Sequence, residues 1–185
     1  MVKNHPKAKY IFISRNPKDC VVSFFHHTRG FPQHYDFEDG DFDVYFDLFC
    51  EGKVDFGFYY DMLKSWFNHK HDNNVLFLTY EEIIANKRDA ILQIAQFLSS
   101  DLVEKVKENN GELMEKILFH SSVESMKKDP LRWCSERKVK FTPFIRQGQS
   151  GSWNELLTDE QVEKLDKMTR EFFSADELKE LGNKY

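Results

Sequence analysis

Arg15 is the residue whose setting in the chain points most directly to chemistry. It follows the short apolar run Tyr10-Ile11-Phe12-Ile13-Ser14 and precedes Asn16-Pro17-Lys18-Asp19. In that second stretch Asn16 suits a helix N-cap, Pro17 the first helical position and Asp19 the first turn. A strand running straight into a helix start puts a guanidinium beside unpaired backbone N–H groups, and that combination suits an anion. Ser23 shares a helix face with Asp19, Val22 and His26 and can add a hydroxyl donor to the same anion. On spacing alone the plainer alternative holds a slight edge: Arg15 on a surface carboxylate and Ser23 an ordinary helix residue.

Other chemically suggestive residues carry less. His69-Lys70-His71 alternates as metal ligands can, but it sits in a polar stretch with no further ligands and reads as a solvated turn. Glu81-Glu82 reads as a pair of helix N-terminal charges rather than an acid/base dyad. Cys20, Cys50 and Cys134 are odd in number and lack metal-ligand spacing. They read as reduced thiols of a cytoplasmic protein, with no zinc site.

The elements that must position Arg15 and Ser23 follow from hydropathy. Residues 10–14 and 75–79 are continuously apolar, as strands buried on both faces of a parallel sheet are. Between them, Val21, Phe24, Phe25 and Thr28 form the expected core face of the first helix. The acidic stretch 36–47 reads as a solvated loop leading to a helix start, and 54–67 as a crossover helix. Helices are expected near 88–98, 102–107 and 113–119, then an irregular segment from 121 to 153. Two capping boxes, Thr158 with Gln161 and Ser174 with Glu177, open the last helices. Two strands make a thin sheet, so an α/β domain with strands lacking is the expectation, its open edge paired in a dimer or covered by the N-terminal residues.

Composition bounds the rest. At 185 residues, 41% hydrophobic and 31% charged, the chain is one folding domain rather than a disordered segment. Its net charge of -5 disfavours a broad nucleic-acid or anionic-membrane surface while leaving room for a local anion pocket. No apolar run approaches the length needed to span a bilayer.

A resemblance shifts the balance at Arg15. The run from Ile13 to His26 resembles the 3'-phosphate-binding motif of the cytosolic sulfotransferases, which use 3'-phosphoadenosine 5'-phosphosulfate (PAPS) and release adenosine 3',5'-bisphosphate (PAP). The likeness continues in order through 49–54, Gly57 and Trp66, then 76–82 and 125–130, and ends with Phe144-Ile145-Arg146-Gln147-Gly148, Gly151 and Trp153. It implies a parallel sheet flanked by helices, of the kind found in P-loop nucleotide kinases. It also implies that Arg15 and Ser23 hold the 3'-phosphate, that Tyr80 contacts the adenine, and that Ser121, Ser122, Val123 and Met126 line the adenine side. Phe144, Ile145, Arg146, Gln147 and Gly148 would close over the phosphate. Gln147 stands where the family has Lys, removing a charge, and Val123 stands where it has Phe, weakening adenine stacking.

The family's phosphosulfate loop, of Thr-Tyr-Pro-Lys-Ser-Gly type, and its catalytic His in a Lys-Thr-His context have no counterpart in this sequence. The expectation is therefore a single partial sulfotransferase domain, residues 1–185, without its N-terminal strand, that loop or that His. By resemblance it transfers a sulfuryl group to a phenol, alcohol or amine without a metal. The rival expectation is a truncated, non-catalytic nucleotide-binding or interaction module. A homodimer is implied only by half of the family's dimerisation motif at 154–163, where Thr158 and Glu163 match.

Overall fold

The computed structural model describes residues 5, 7–133 and 143–182, without the side chain of Leu131. Two parallel strands, β1 (Tyr10–Ser14) and β2 (Val75–Thr79), pair in register from Tyr10↔Val75 to Ser14↔Thr79. Helix α1 (Pro17–Arg29) leaves the carboxyl end of β1, and α5 (Tyr80–Ala85) leaves that of β2. Between these units lie α2 (Pro32–Tyr35), α3 (Phe42–Cys50) and α4 (Tyr59–Phe67). After α5 come α6 (Lys87–Leu98), α7 (Ser100–His120), α8 (Val123–Lys128) and α9 (Pro130–Trp133). A 3-10 turn, Ser152–Glu155, precedes α10 (Asp159–Phe172) and α11 (Ala175–Glu180).

The main core packs α1, α3 and α4 against α10 and α11, with Val21, Phe46, Leu63 and Leu165 fully buried. Burying a leucine of this kind contributes about 1.5–3 kcal/mol by removing its apolar surface from water. Buried hydroxyls pair across it. The Tyr60 hydroxyl lies 3.0 Å from both the Leu165 carbonyl and Thr169 Oγ1, tying α4 to α10. Lys18 ties α1 to α10 through Asp166 at 2.6 Å and lies over the Trp153 ring. A second cluster joins α6 to α7, which Asn109, Asn110 and Gly111 break with positive φ. Among the described residues no helix is long and apolar enough to cross a membrane.

Several expectations need correction. One face is open along β1 only: Phe12 and Phe77 pack under Trp66 and Phe67, and Leu78 of β2 is buried, whereas Ile11 and Ile13 alternate outward and remain exposed. The expected helix over 54–67 starts at Tyr59, because Phe56 and Gly57 both have positive φ. The acidic stretch is no solvated loop throughout: Asp41 caps α3, and Phe42, Tyr45 and Phe46 are buried. Val22, expected on the site face of α1, is buried in the core, whereas Phe24 lines a cavity. The segment expected to be irregular holds α8 and α9, with Cys134 and residues 135–142 outside the described residues. The N-terminal residues His5 and Ala8 accept from Asn74 Nδ2 near the start of the strand pair; Met1–Asn4 and Pro6 lie outside the description.

Candidate nucleotide site

The strand register builds the site. Because Ser14 pairs with Thr79, the next residues of the two strands, Arg15 and Tyr80, fall side by side, with the guanidinium 4.5 Å from the centre of the tyrosine ring. One residue further, the Asn16 backbone N–H donates to Glu81 Oε1 at 3.0 Å. Glu81 lies in the first turn of α5, as its reading as a helix N-terminal charge implies, but it is buried and also locks the two helix starts together. Each start is also capped locally. Asn16 Oδ1 accepts from Lys18 N at 2.9 Å, and Thr79 forms a full capping box with Glu82.

In front of this junction lies a cavity of about 710 Å³. Its lining includes Arg15 and Ser23 from the β1–α1 unit, Tyr80 from β2–α5, and Ser121, Val123 and Met126 from the α7–α8 turn. Phe144, Ile145, Arg146, Gln147 and Gly148 form the facing wall. Eleven of the twelve residues singled out from the sequence thus meet at one cavity although they span most of the chain. Ser122 is the exception, being turned to backbone as the N-cap of α8, where its Oγ accepts from Ser125 N at 3.1 Å.

Electrostatics favour an anion there. Arg15 Nη2 donates to the Gln149 carbonyl at 3.3 Å, while its buried Nε has no partner among the described residues. Burial holds the Arg146 guanidinium below its ordinary range; Glu155 opposes this, and the nearby positive charge of Arg15 adds to the depression. Two guanidiniums that repel across a cavity are relieved by a bound anion. Burial pushes the thiol of Cys20, another lining residue, up to about 11, so it is a protonated wall and not a nucleophile. Gly148 is required sterically: a Cβ there would lie 2.0 Å from Val123 Cγ2, and its φ is +63°. The 144–148 segment and the start of α8 therefore touch directly.

These features suit an anion carried beside a flat ring, offering an unpartnered guanidinium donor, a second cation, an aromatic ring and a backbone wall with no side chain at Gly148. No cluster of His, Cys, Asp and Glu with metal-binding geometry occurs among the described residues. Sequence reasoning missed Glu81 as a link between the two helix starts. His26 and His27 also line the cavity.

The sulfotransferase domain profile matches residues 2–182. The chain belongs to the sulfotransferase family. Among its relatives, mouse sulfotransferase 1 family member D1 is 34% identical over 164 residues, covering 86% of this chain and 52% of the relative. A rabbit (Oryctolagus cuniculus) amine sulfotransferase is 32% identical, covering 92% and 56%. The solved structure of mouse sulfotransferase SULT7A1 complexed with PAP superposes with a TM-score of 0.74 at 28% identity, covering 96% of this chain and 63% of that one. This sulfotransferase chain spans about half the length of the curated relatives it matches.

Proposed function

We propose that this chain forms the 3'-phosphate and adenine portion of a sulfotransferase that moves a sulfuryl group from PAPS to a hydroxyl or amine of a small acceptor, such as a phenol or alcohol, leaving PAP. The observation that carries the reading is the convergence of Arg15 and Arg146 on one cavity beside the Tyr80 ring. PAPS supplies the sulfuryl group when bound. The chain's own residues do the holding. Arg15 makes charge-assisted hydrogen bonds to the 3'-phosphate, Ser23 adds a hydroxyl donor, and Arg146 with the backbone at Gly148 covers it. Tyr80, Val123 and Met126 bracket the base, and no metal takes part.

Residues 1–185 are read as belonging to one sulfotransferase domain, acting in the cytoplasm like the family it resembles. Thr158 serves α10 as its N-cap, which accounts for it without a homodimer through 154–163. The test is calorimetric titration with PAP and with adenosine 5'-monophosphate, alongside a transfer assay with PAPS and simple phenols. PAP should bind at least tenfold more tightly than the monophosphate. Equal affinity, or none for PAP, overturns the site. Binding without transfer by this chain favours the nucleotide-binding-module reading.

A further inference from the structure

We propose that Asp19 is a positioning residue that tethers the 144–151 loop to helix α1 and so sets Arg146 opposite Arg15. The inference rests on the 3'-phosphate reading only for its consequence, not for its geometry. Asp19 is 1% exposed, and its Oδ2 accepts from the Gly151 backbone N–H at 2.7 Å and from Ser150 Oγ at 3.0 Å. Arg15 Nη2 binds the preceding carbonyl, that of Gln149. Three consecutive residues are thus gripped by two side chains at the head of α1, directly after Arg146-Gln147-Gly148.

Residues 143–150 include no helix or strand, so backbone ladders do not fix Arg146. What fixes it is the contact of Gly148 with Val123 on one side and the Asp19 tether on the other. Gly151 itself has φ +88° and leads into the 3-10 turn, so its N–H is turned toward Asp19 only while this bend holds. The carboxylate is not there for stability alone. Its other oxygen, Oδ1, is buried with no partner among the described residues, a destabilising arrangement for a residue whose role is only to pack. A first-turn acid serving the helix dipole would sit equally well in solvent.

The test compares hydrogen exchange and PAP titration for the intact chain, Asp19→Ala, Asp19→Asn and Ser150→Ala. Asp19→Ala should speed amide exchange in 144–151 at least tenfold without nucleotide, leave β1 and β2 protected, and weaken PAP about tenfold. Asp19→Asn keeps a side-chain oxygen for the Gly151 N–H and should restore most of both. Ser150 is exposed, so Ser150→Ala folds regardless; it should give a smaller increase, about two- to fivefold, confined to the same loop. Unchanged loop exchange in Asp19→Ala and Ser150→Ala overturns the tether, as does faster exchange spread evenly over α1 and the sheet. Faster loop exchange with unchanged PAP affinity overturns the positioning role. If the intact chain binds no PAP, the 3'-phosphate reading falls, and the exchange data alone decide the tether.

Discussion

At the scale of single residues, Arg15 has three tasks that only a planar guanidinium can combine: stacking on Tyr80, donating to Gln149 and presenting a buried, unpartnered Nε. Arg15→Ala should therefore weaken PAP about 10- to 100-fold by calorimetry, corresponding to the roughly 1.5–3 kcal/mol of a charged hydrogen bond. Arg15→Lys should rescue little of it, because a lysine keeps the charge without the planar fork or the stack; full rescue would contradict this account. Gly148→Ala is a second residue-level test. The added methyl meets Val123 at 2.0 Å on a backbone with positive φ, so the loop must shift. PAP affinity should fall severalfold while the denaturation midpoint changes little, and unaltered affinity would show that Gly148 does not shape the wall. The same contact qualifies the simple idea that a phenylalanine at position 123 would merely add stacking, since a larger ring must displace Gly148.

At the scale of elements, the site depends on two strands ending in register and on helix starts that are capped twice over. Thr79→Ala removes the capping box of α5 and should lower stability by about 1 kcal/mol, read from the denaturant midpoint. Glu81→Ala leaves the buried Asn16 N–H without its acceptor and should cost about 1–3 kcal/mol. It should also loosen Arg15, so PAP affinity falls with it; a loss no larger than that of Thr79→Ala would mean that Glu81 does not link the two starts. The strand, Asn-Pro cap and helix were legible in the sequence because each signal is local. Glu81 was not legible as a lock, because its partner lies 65 residues away. The start of α4 was missed for a different reason. The aromatic spacing over 54–67 is helical throughout, but positive φ at Phe56 and Gly57 takes the first residues out of the helix while leaving Val54 and Phe58 packed on the core. The exposed face of β1 was misread because an unbroken apolar run does not say how many layers cover it.

At the scale of the whole molecule, eleven separated residues reached one cavity because the family resemblance carried long-range information that periodicity does not hold. The core adds a pH dependence. Burial pushes the thiols of Cys20 and Cys50 from 9.0 to about 11 and also raises the Tyr45 and Tyr60 hydroxyls. In the unfolded chain these thiols ionise near pH 9, whereas in the fold they stay protonated, so the unfolded state binds fewer protons above that pH. Stability is then fully present below about pH 9 and falls as pH rises toward 11. The denaturation midpoint at pH 10 should lie below that at pH 8, and Cys20→Ala with Cys50→Ala should reduce the slope; a flat profile would contradict the burial of these groups.

The central claim is that the Arg15 cavity receives the 3'-phosphate, and a crystal structure of the chain grown with PAP tests it most directly. The account predicts phosphate density within hydrogen-bond distance of the Arg15 guanidinium and Ser23 Oγ, with Arg146 closing over it and adenine between Tyr80 and Val123. PAP bound with its 5'-phosphate at Arg15, or seated elsewhere on the chain, would contradict it.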